Sequence, residues 1–147
     1  MDIGIPAEIK TAERRVGMTP GAAGELTARG HQVTIQTGAG EGAGFSDADY
    51  KAVGVQTVDD AEAVFDAAEM IVKVKEPQAV ERALLQPHHT LFTYLHLAAD
   101  RPQTDDLINS GATCIAYETV TDHAGRLPLL APMSAIAGRM AIQAGAH

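Results

Sequence analysis

Several side chains in this 147-residue sequence stand where small-molecule chemistry would want them. Arg14 and Arg15 follow the first short apolar run. Lys75 closes the run Met70-Ile71-Val72-Lys73-Val74-Lys75, His96 closes Thr90-Leu91-Phe92-Thr93-Tyr94-Leu95-His96, and Glu118 follows Ala112–Tyr117. A guanidinium grips a carboxylate through two parallel hydrogen bonds, whereas an ammonium acts as a compact point charge. An imidazole titrates near neutral pH and can pass protons. Together these groups would form a pocket for a small carboxylate with a histidine set for proton transfer. Each has a plainer alternative. Arg15 also fits a solvated loop charge. Lys73 and Lys75 lie two apart and would share a strand face; two cations in a core are costly, so at least one belongs at an edge or in a pocket. His96 ends an apolar run, where a satisfied core histidine is the usual outcome. Finding all three in one crevice would strengthen each reading.

The elements that must position them alternate strand with helix. Ile3 to Pro6 predicts a first strand. Thr19-Pro20 supplies an N-cap followed by proline at the first helical position, and the helix runs through Ala22 to about Arg29, stopped by Gly30. His31–Thr37 alternates polar with apolar and predicts a strand. Ser46 caps a short helix from Asp47 to about Val53, a weak strand lies near Val55–Val58, and Asp59-Asp60 open a helix ending near Glu69. Then come strand Met70–Lys75, helix Ala79–Leu85, strand Thr90–His96, helix Ala99–Ser110 ended by Gly111, strand Ala112–Tyr117, a loop from Gly125 to Pro132, and helix Met133–His147. This alternation predicts an α/β fold, a doubly wound and mostly parallel sheet flanked by helices. In such sheets ligands bind outside the carboxyl ends of the strands, at the switch point of the topology, which is where Arg15, Lys75 and His96 would stand.

Composition narrows the classes. The length suits one domain, with a folded surface of about 7,200 Å² against about 22,000 Å² unfolded. Hydrophobic residues are 46% and charged residues 20%, so a disordered chain, a coiled coil and a collagen-like repeat are excluded. No run of about 18 apolar residues exists, so no membrane span is expected. The start, Met1-Asp2-Ile3-Gly4-Ile5-Pro6, is too short and acidic for a signal peptide. The single Cys114 excludes an internal disulfide and a multi-cysteine metal site, and a reducing cytoplasm is the simplest setting. The net charge of −8 and the lack of any basic cluster longer than Arg14-Arg15 make nucleic acid an unsuited partner.

Three further features invite functional readings and have simpler ones. Gly38, Gly40 and Ala43 fit the loose G-x-G-x-x-G/A dinucleotide pattern after a strand. That motif should open directly into a helix, yet the cap Ser46 comes three residues late. The acidic residue wanted about 20 positions on could be Asp59 or Asp60, but both fit better at a helix N-terminus. The segment Gly38–Gly44 is therefore expected to be a flexible turn, with a cofactor cradle as the alternative. His88-His89 occupy a polar turn without further ligands at zinc spacing, so no metal is expected. Cys114 is expected to be a buried small hydrophobe, and His123 a surface loop residue.

The order of motifs resembles a known family. Ile3-Gly4-Ile5-Pro6-Ala7-Glu8-Ile9-Lys10, Glu13-Arg14-Arg15-Val16 and Thr19-Pro20 are similar to the opening of NAD-dependent alanine dehydrogenases and the related transhydrogenase α subunit. The likeness continues through Thr37–Gly40, Gly44–Asp47, Lys73–Pro77, Leu91–Ala98, Ala116–Val120 and Pro128–Ser134. Tyr94-Leu95-His96 is similar to alanine dehydrogenases, whereas transhydrogenases lack that histidine. The resemblance implies that Arg15 and Lys75 bind the substrate's carboxylate and its carbonyl or amine end, that His96 is the catalytic acid/base, and that Ser134 contacts the cofactor NAD. It implies oxidation of L-alanine to pyruvate and ammonia: hydride leaves Cα for the nicotinamide, water adds to the imine, and the carbinolamine collapses with proton transfers through histidine. It also implies that Gly38–Gly44 belongs to the substrate side.

Family members are more than twice as long. The resemblance therefore implies a substrate domain at 1–132, incomplete, and at 133–147 the start of a helix linking to an absent NAD-binding domain. Such a chain should be inactive alone. Its expected partners are L-alanine or pyruvate, with a homo-oligomer or a complementing chain. The alternatives are a non-catalytic interaction module, a split-enzyme subunit and a transhydrogenase-like subunit, the last disfavoured by His96.

Overall fold

A computed structural model describes residues 1–146 of the chain. His147, where the expected last helix ends, lies outside the described residues. In chain order the elements are β1 (Asp2–Ile5), α1 (Pro20–Ala28), β2 (Gln32–Gln36), α2 (Asp47–Lys51), β3 (Gln56–Val58), α3 (Ala61–Ala67), β4 (Met70–Val72), α4 (Ala79–Arg82), β5 (Thr90–Thr93), α5 (Arg101–Ser110), β6 (Thr113–Ala116) and α6 (Ala131–Gly145). Short 3-10 turns lie at Glu41–Ala43, Leu97–Ala99 and Tyr117–Thr119.

The strands form one six-stranded parallel sheet in the order β3-β2-β1-β4-β5-β6. The chain leaves β1 toward β2 and β3, then returns to lay β4 on β1's other side. Ile3 is thus opposite Val33 on one flank and Met70 on the other, and Ile71 faces Leu91 across β4 and β5. The reversal between β1 and β4 is the switch point of a doubly wound fold. Parallel strands covered on both faces carry apolar side chains in sequence, and Ile5, Ile35, Ile71, Leu91, Val64 and Phe65 are buried.

Local chemistry fixes the helix ends. The Thr19 hydroxyl accepts from the Ala22 N–H with Pro20 next in line, and Gly30 takes a left-handed φ of 85° after α1. The Asp60 carboxylate accepts from Ala63 N–H to start α3, and Asp100 from Gln103 N–H to start α5. Asp60 thus serves as a helix cap. Residues 1–115 form one compact unit and the chain from Ala116 a second. In the second unit α6 buries none of its residues.

Several expectations need correction. Regular pairing in β4 stops at Val72 rather than Lys75, and in β5 at Thr93 rather than His96; two main-chain bonds run on between them, Lys73 N–H to the Phe92 carbonyl and Tyr94 N–H to the Val74 carbonyl, before side chains take over. α5 starts at Arg101, after a 3-10 turn that occupies Leu97–Ala99. The short helix α2 ends at Lys51 and α4 at Arg82, each short of expectation. His89 is no polar-turn residue. It is buried, its Nδ1 accepts from Gln86 N–H and its Nε2 lies 3.1 Å from the Phe65 carbonyl. Both ring nitrogens are thus committed to the backbone, and burial lowers its pKa, with His88 adding to the effect. Cys114 is only half-buried.

α3 lies so close to β1 that Gly4 has no room for a side chain. A Cβ there would stand 2.7 Å from Val64 Cγ1 and 2.9 Å from Ala68 Cβ. Gly4→Ala should therefore destabilise the fold by about 1–3 kcal/mol. Urea unfolding should show a lower midpoint at an unchanged slope.

Candidate active site

The site is built on a buried ionic cluster just beyond the carboxyl end of β4. The Lys73 ammonium lies 2.6 Å from Glu81 Oε1 and 3.3 Å from Glu8 Oε2, and the three side chains are 1–3% exposed. A lone buried lysine would be very costly, and two carboxylates within ion-pair distance offset that cost. Glu81 also accepts from the Gln78 N–H at 2.7 Å, which fixes the start of α4. Glu8 Oε1 accepts from the Val74 N–H at 2.6 Å, with the Lys75 N–H at 3.4 Å from Oε2. Burial raises the Glu8 pKa despite Lys73 and these backbone donors.

Lys75 is therefore held by its main chain. Glu8 sits on its amide side, and the buried Thr93 hydroxyl donates to the Lys75 carbonyl at 2.9 Å. These contacts take over beyond the last main-chain bond to the β5 side, Tyr94 N–H to the Val74 carbonyl at 3.3 Å. Where the strand pattern would put Lys73 and Lys75 on one face, Lys73 is buried and Lys75 half-exposed. Its ammonium stands 5.2 Å from the centre of the Tyr94 ring, a cation–π distance.

Tyr94 carries the arrangement on to His96, with the rings stacked at 5.9 Å and 20°. The residue between them is pinned by the buried Gln103 of α5, whose amide donates to the Leu95 carbonyl at 2.6 Å. His96 itself takes a left-handed backbone, φ 49° and ψ 42°. That conformation is uncommon outside glycine and collects at functional sites. The imidazole residue is exposed.

Arg15 enters from the loop after β1. Its Nε is 2.8 Å from Glu13 Oε1 and its second terminal nitrogen 2.6 Å from Glu13 Oε2, a two-pronged pair. The Glu13 carboxyl is held down at about 2, chiefly by the Arg15 hydrogen bond and in small part by the charge of Lys75. Glu76 is likewise held low; burial works against this, but its Lys10 pair and the charge of Lys75 outweigh it. Tyr94 thus joins Lys75 to His96, while Glu13 is paired with Arg15 and feels the charge of Lys75, on the loops that follow β1, β4 and β5. Glu118 and Ser134 belong to the second unit, Glu118 half-buried in a 3-10 turn and Ser134 exposed near the start of α6.

The Gly38–Gly44 segment makes no open cradle. Gly38 N–H is taken by the Asp47 carboxylate at 2.9 Å. The five-residue α2 that follows is closed by its own capping box between Ser46 and Asp49. No free helix N-terminus is offered to a phosphate there. Among the described residues no group of three His, Cys, Asp or Glu could hold a metal, and no helix is long and apolar enough to cross a membrane.

The spacing of the sequence alone did not single out Glu8, Glu81, Glu13, Tyr94 or Gln103. Lys73 offered the one available signal, since a lysine inside an apolar run needs a carboxylate partner, but the partners lie 65 residues before it and 8 after it.

Fold and site define a doubly wound α/β module that carries Arg15, Lys75 and His96 on the loops beyond the carboxyl ends of β1, β4 and β5. The chain belongs to the alanine dehydrogenase/PNT N-terminal domain family, whose model matches residues 4–137. It is 60% identical over its full length to an alanine dehydrogenase of Halomonas elongata, 55% to one of Mycobacterium tuberculosis, and 50% to one of Bacillus subtilis. In each case it covers 38–40% of the relative's length. A solved L-alanine dehydrogenase superposes with a TM-score of 0.94 at 52% identity, over 99% of this chain and 40% of that one. A transhydrogenase structure from Sinorhizobium meliloti shares the fold, with a TM-score of 0.75 at 23% identity.

Two outcomes test the geometry. Lys73→Met leaves two carboxylates buried without their cation and should cost about 3–5 kcal/mol, read by denaturant unfolding. The Glu13 carboxyl carbon, followed by NMR, should titrate at about 2. Because its folded pKa lies below its ordinary 4.5, this pair stabilises the fold above pH 4.5 and is lost as pH falls through about 2. Glu13→Gln should abolish that part of the acid dependence.

Proposed function

We propose that this chain is the substrate-side part of an NAD-dependent alanine dehydrogenase, the enzyme that interconverts L-alanine with pyruvate and ammonia. The observation that supports this best is the linked set Arg15–Glu13–Lys75–Tyr94–His96 at the switch point. Arg15 grips the substrate carboxylate, exchanging Glu13 for it. Lys75 faces the carbonyl or amine end, where its charge polarises the carbonyl oxygen. His96 is the acid/base. As ammonia adds to C2 of pyruvate, a C–N bond forms and the carbonyl oxygen takes a proton from the imidazolium, giving the carbinolamine. The nitrogen returns a proton to the imidazole, which then protonates the departing hydroxyl, so that water leaves and the protonated imine remains beside a neutral imidazole. Alanine oxidation runs these steps in reverse.

NAD supplies the hydride exchange when bound. The described residues do not fit a dinucleotide: Gly38 N–H is spent on Asp47, and α2 is capped from within. No step is assigned through NAD on this chain. Its cradle is assigned to the length that relatives have and this chain does not cover, with residues 1–132 as substrate domain and 133–147 as the start of the connecting helix. Ser134 keeps a proposed contact to the cofactor. A cytoplasmic setting suits the single thiol of Cys114. Exposed Ile136, Met140 and Ile142 on α6 favour coverage by another element or subunit.

Calorimetric titration of the purified chain with pyruvate tests the pocket. Saturable binding should weaken at least about tenfold in Arg15→Ala and in Lys75→Ala, or about 1.4 kcal/mol. His96→Ala should stay within about threefold of the parent. Equal affinity in all four proteins would contradict the carboxylate pocket. An NADH-coupled assay with alanine should find no turnover by this chain alone; robust turnover would overturn the assignment of the NAD cradle elsewhere.

A further inference from the structure

The Gly38–Gly44 turn is absorbed neither by the proposed chemistry nor by cofactor binding, yet its backbone lies hard against the segment that carries Arg15. A Cβ on Gly42 would stand 2.7 Å from the Arg14 carbonyl oxygen, 3.1 Å from Arg14 Cβ and 3.2 Å from Arg14 Cα. These are backbone and near-backbone atoms, not a flexible side-chain tip. Gly42 has no left-handed φ, so its lack of a side chain serves packing rather than conformation.

The turn cannot yield to such a contact. Ala43 N–H and Phe45 N–H both donate to the Gly40 carbonyl at 3.0 Å, and Gly44 N–H to the Glu41 carbonyl at 3.0 Å. Gly40 is wedged against Tyr50 Cε2, at 2.7 Å from where its own Cβ would stand. Tyr50 is fully buried, and its hydroxyl donates to the Met18 carbonyl at 2.7 Å. The turn is thus tied to the core and to the far end of the Arg14–Met18 segment. Arg14 and Arg15 are exposed and lie outside any helix or strand. Of the two surfaces in contact, the turn has the internal hydrogen bonds and the tie to Tyr50, and the arginine segment has no regular structure.

We infer that Gly42 is a positioning residue for Arg15: the turn is a rigid seat whose missing side chain sets where the Arg14–Arg15 main chain runs. This rests on the reading of Arg15 as the carboxylate-binding group. Gly44 offers a matched control, because its φ is 85° but a Cβ there meets nothing within 4 Å. Gly44→Ala therefore strains the same turn without pushing Arg14.

The two variants are compared with the parent chain by thermal melting, by NMR titration of the Glu13 carboxyl, and by pyruvate binding. Gly42→Ala should raise the Glu13 midpoint from about 2 toward 4.5, since Arg15 is shifted off its partner, and weaken pyruvate at least about fivefold. Gly44→Ala should lower the melting temperature and leave both other readouts at parental values. The inference is overturned if Gly42→Ala keeps the parental Glu13 midpoint, or if Gly44→Ala moves that midpoint as far. Failure of the parent chain to bind pyruvate would tell against the functional reading instead, and the Glu13 midpoint would still decide the positioning.

Discussion

The Lys73 ammonium between Glu8 and Glu81 governs how this molecule presents its chemistry. One cation and two carboxylates are buried together, a set that survives burial only because each member also satisfies another. The cluster ties three distant stretches to one point: the loop after β1 through Glu8, the end of β4 through Lys73, and the first turn of α4 through Glu81. Glu8 does a second task, because its other oxygen takes the Val74 N–H. Val74 is thereby held on both sides, its N–H by Glu8 and its carbonyl by the Tyr94 N–H. The half-buried lysine proposed for substrate binding is thus held by a fully buried one two residues earlier.

Topology explains why these tethers converge. In the parallel sheet ordered β3-β2-β1-β4-β5-β6 the winding reverses between β1 and β4, and in such folds the loops leaving those two strands diverge and ligands bind between them. Arg15 is on the first loop and Lys75 on the second. His96 follows β5, the next strand over, and reaches the same rim through the Tyr94 ring. Glu13 holds Arg15 in a two-pronged pair, the geometry in which a guanidinium takes a carboxylate. The strained His96 backbone is compensated nearby by the buried Gln103 bond to the Leu95 carbonyl.

Much of this was legible from the residues. The alternation of apolar runs with capped helical stretches gives the doubly wound class, and Thr19, Asp60 and Gly111 mark helix ends because their chemistry is local. The three site residues stand out because each follows an apolar run. Strand ends were less legible: Val74 and Leu95 are as apolar as true strand residues, and the contacts of Glu8, Thr93 and Gln103, distant in sequence, mark where pairing gives way to side chains. The same distance hid the partners of Lys73. His89 looked like a turn residue because its neighbours Pro87 and His88 are, whereas its burial depends on the Phe65 carbonyl 24 residues earlier. The glycine pattern misled in one respect and informed in another, since glycine marks close approach of backbones as readily as it marks a phosphate.

A buried carboxylate holds the Val74 N–H beside Lys75, where the β5 ladder reaches only the Val74 carbonyl. Amide hydrogen exchange at Val74, compared between the parent chain and Glu8→Gln, measures this directly. Val74 should exchange as slowly as the β4 amides in the parent and be selectively accelerated in the variant, while Ile71 stays protected. Exchange at Val74 as fast as in an exposed loop, or protection unchanged by Glu8→Gln, would contradict it.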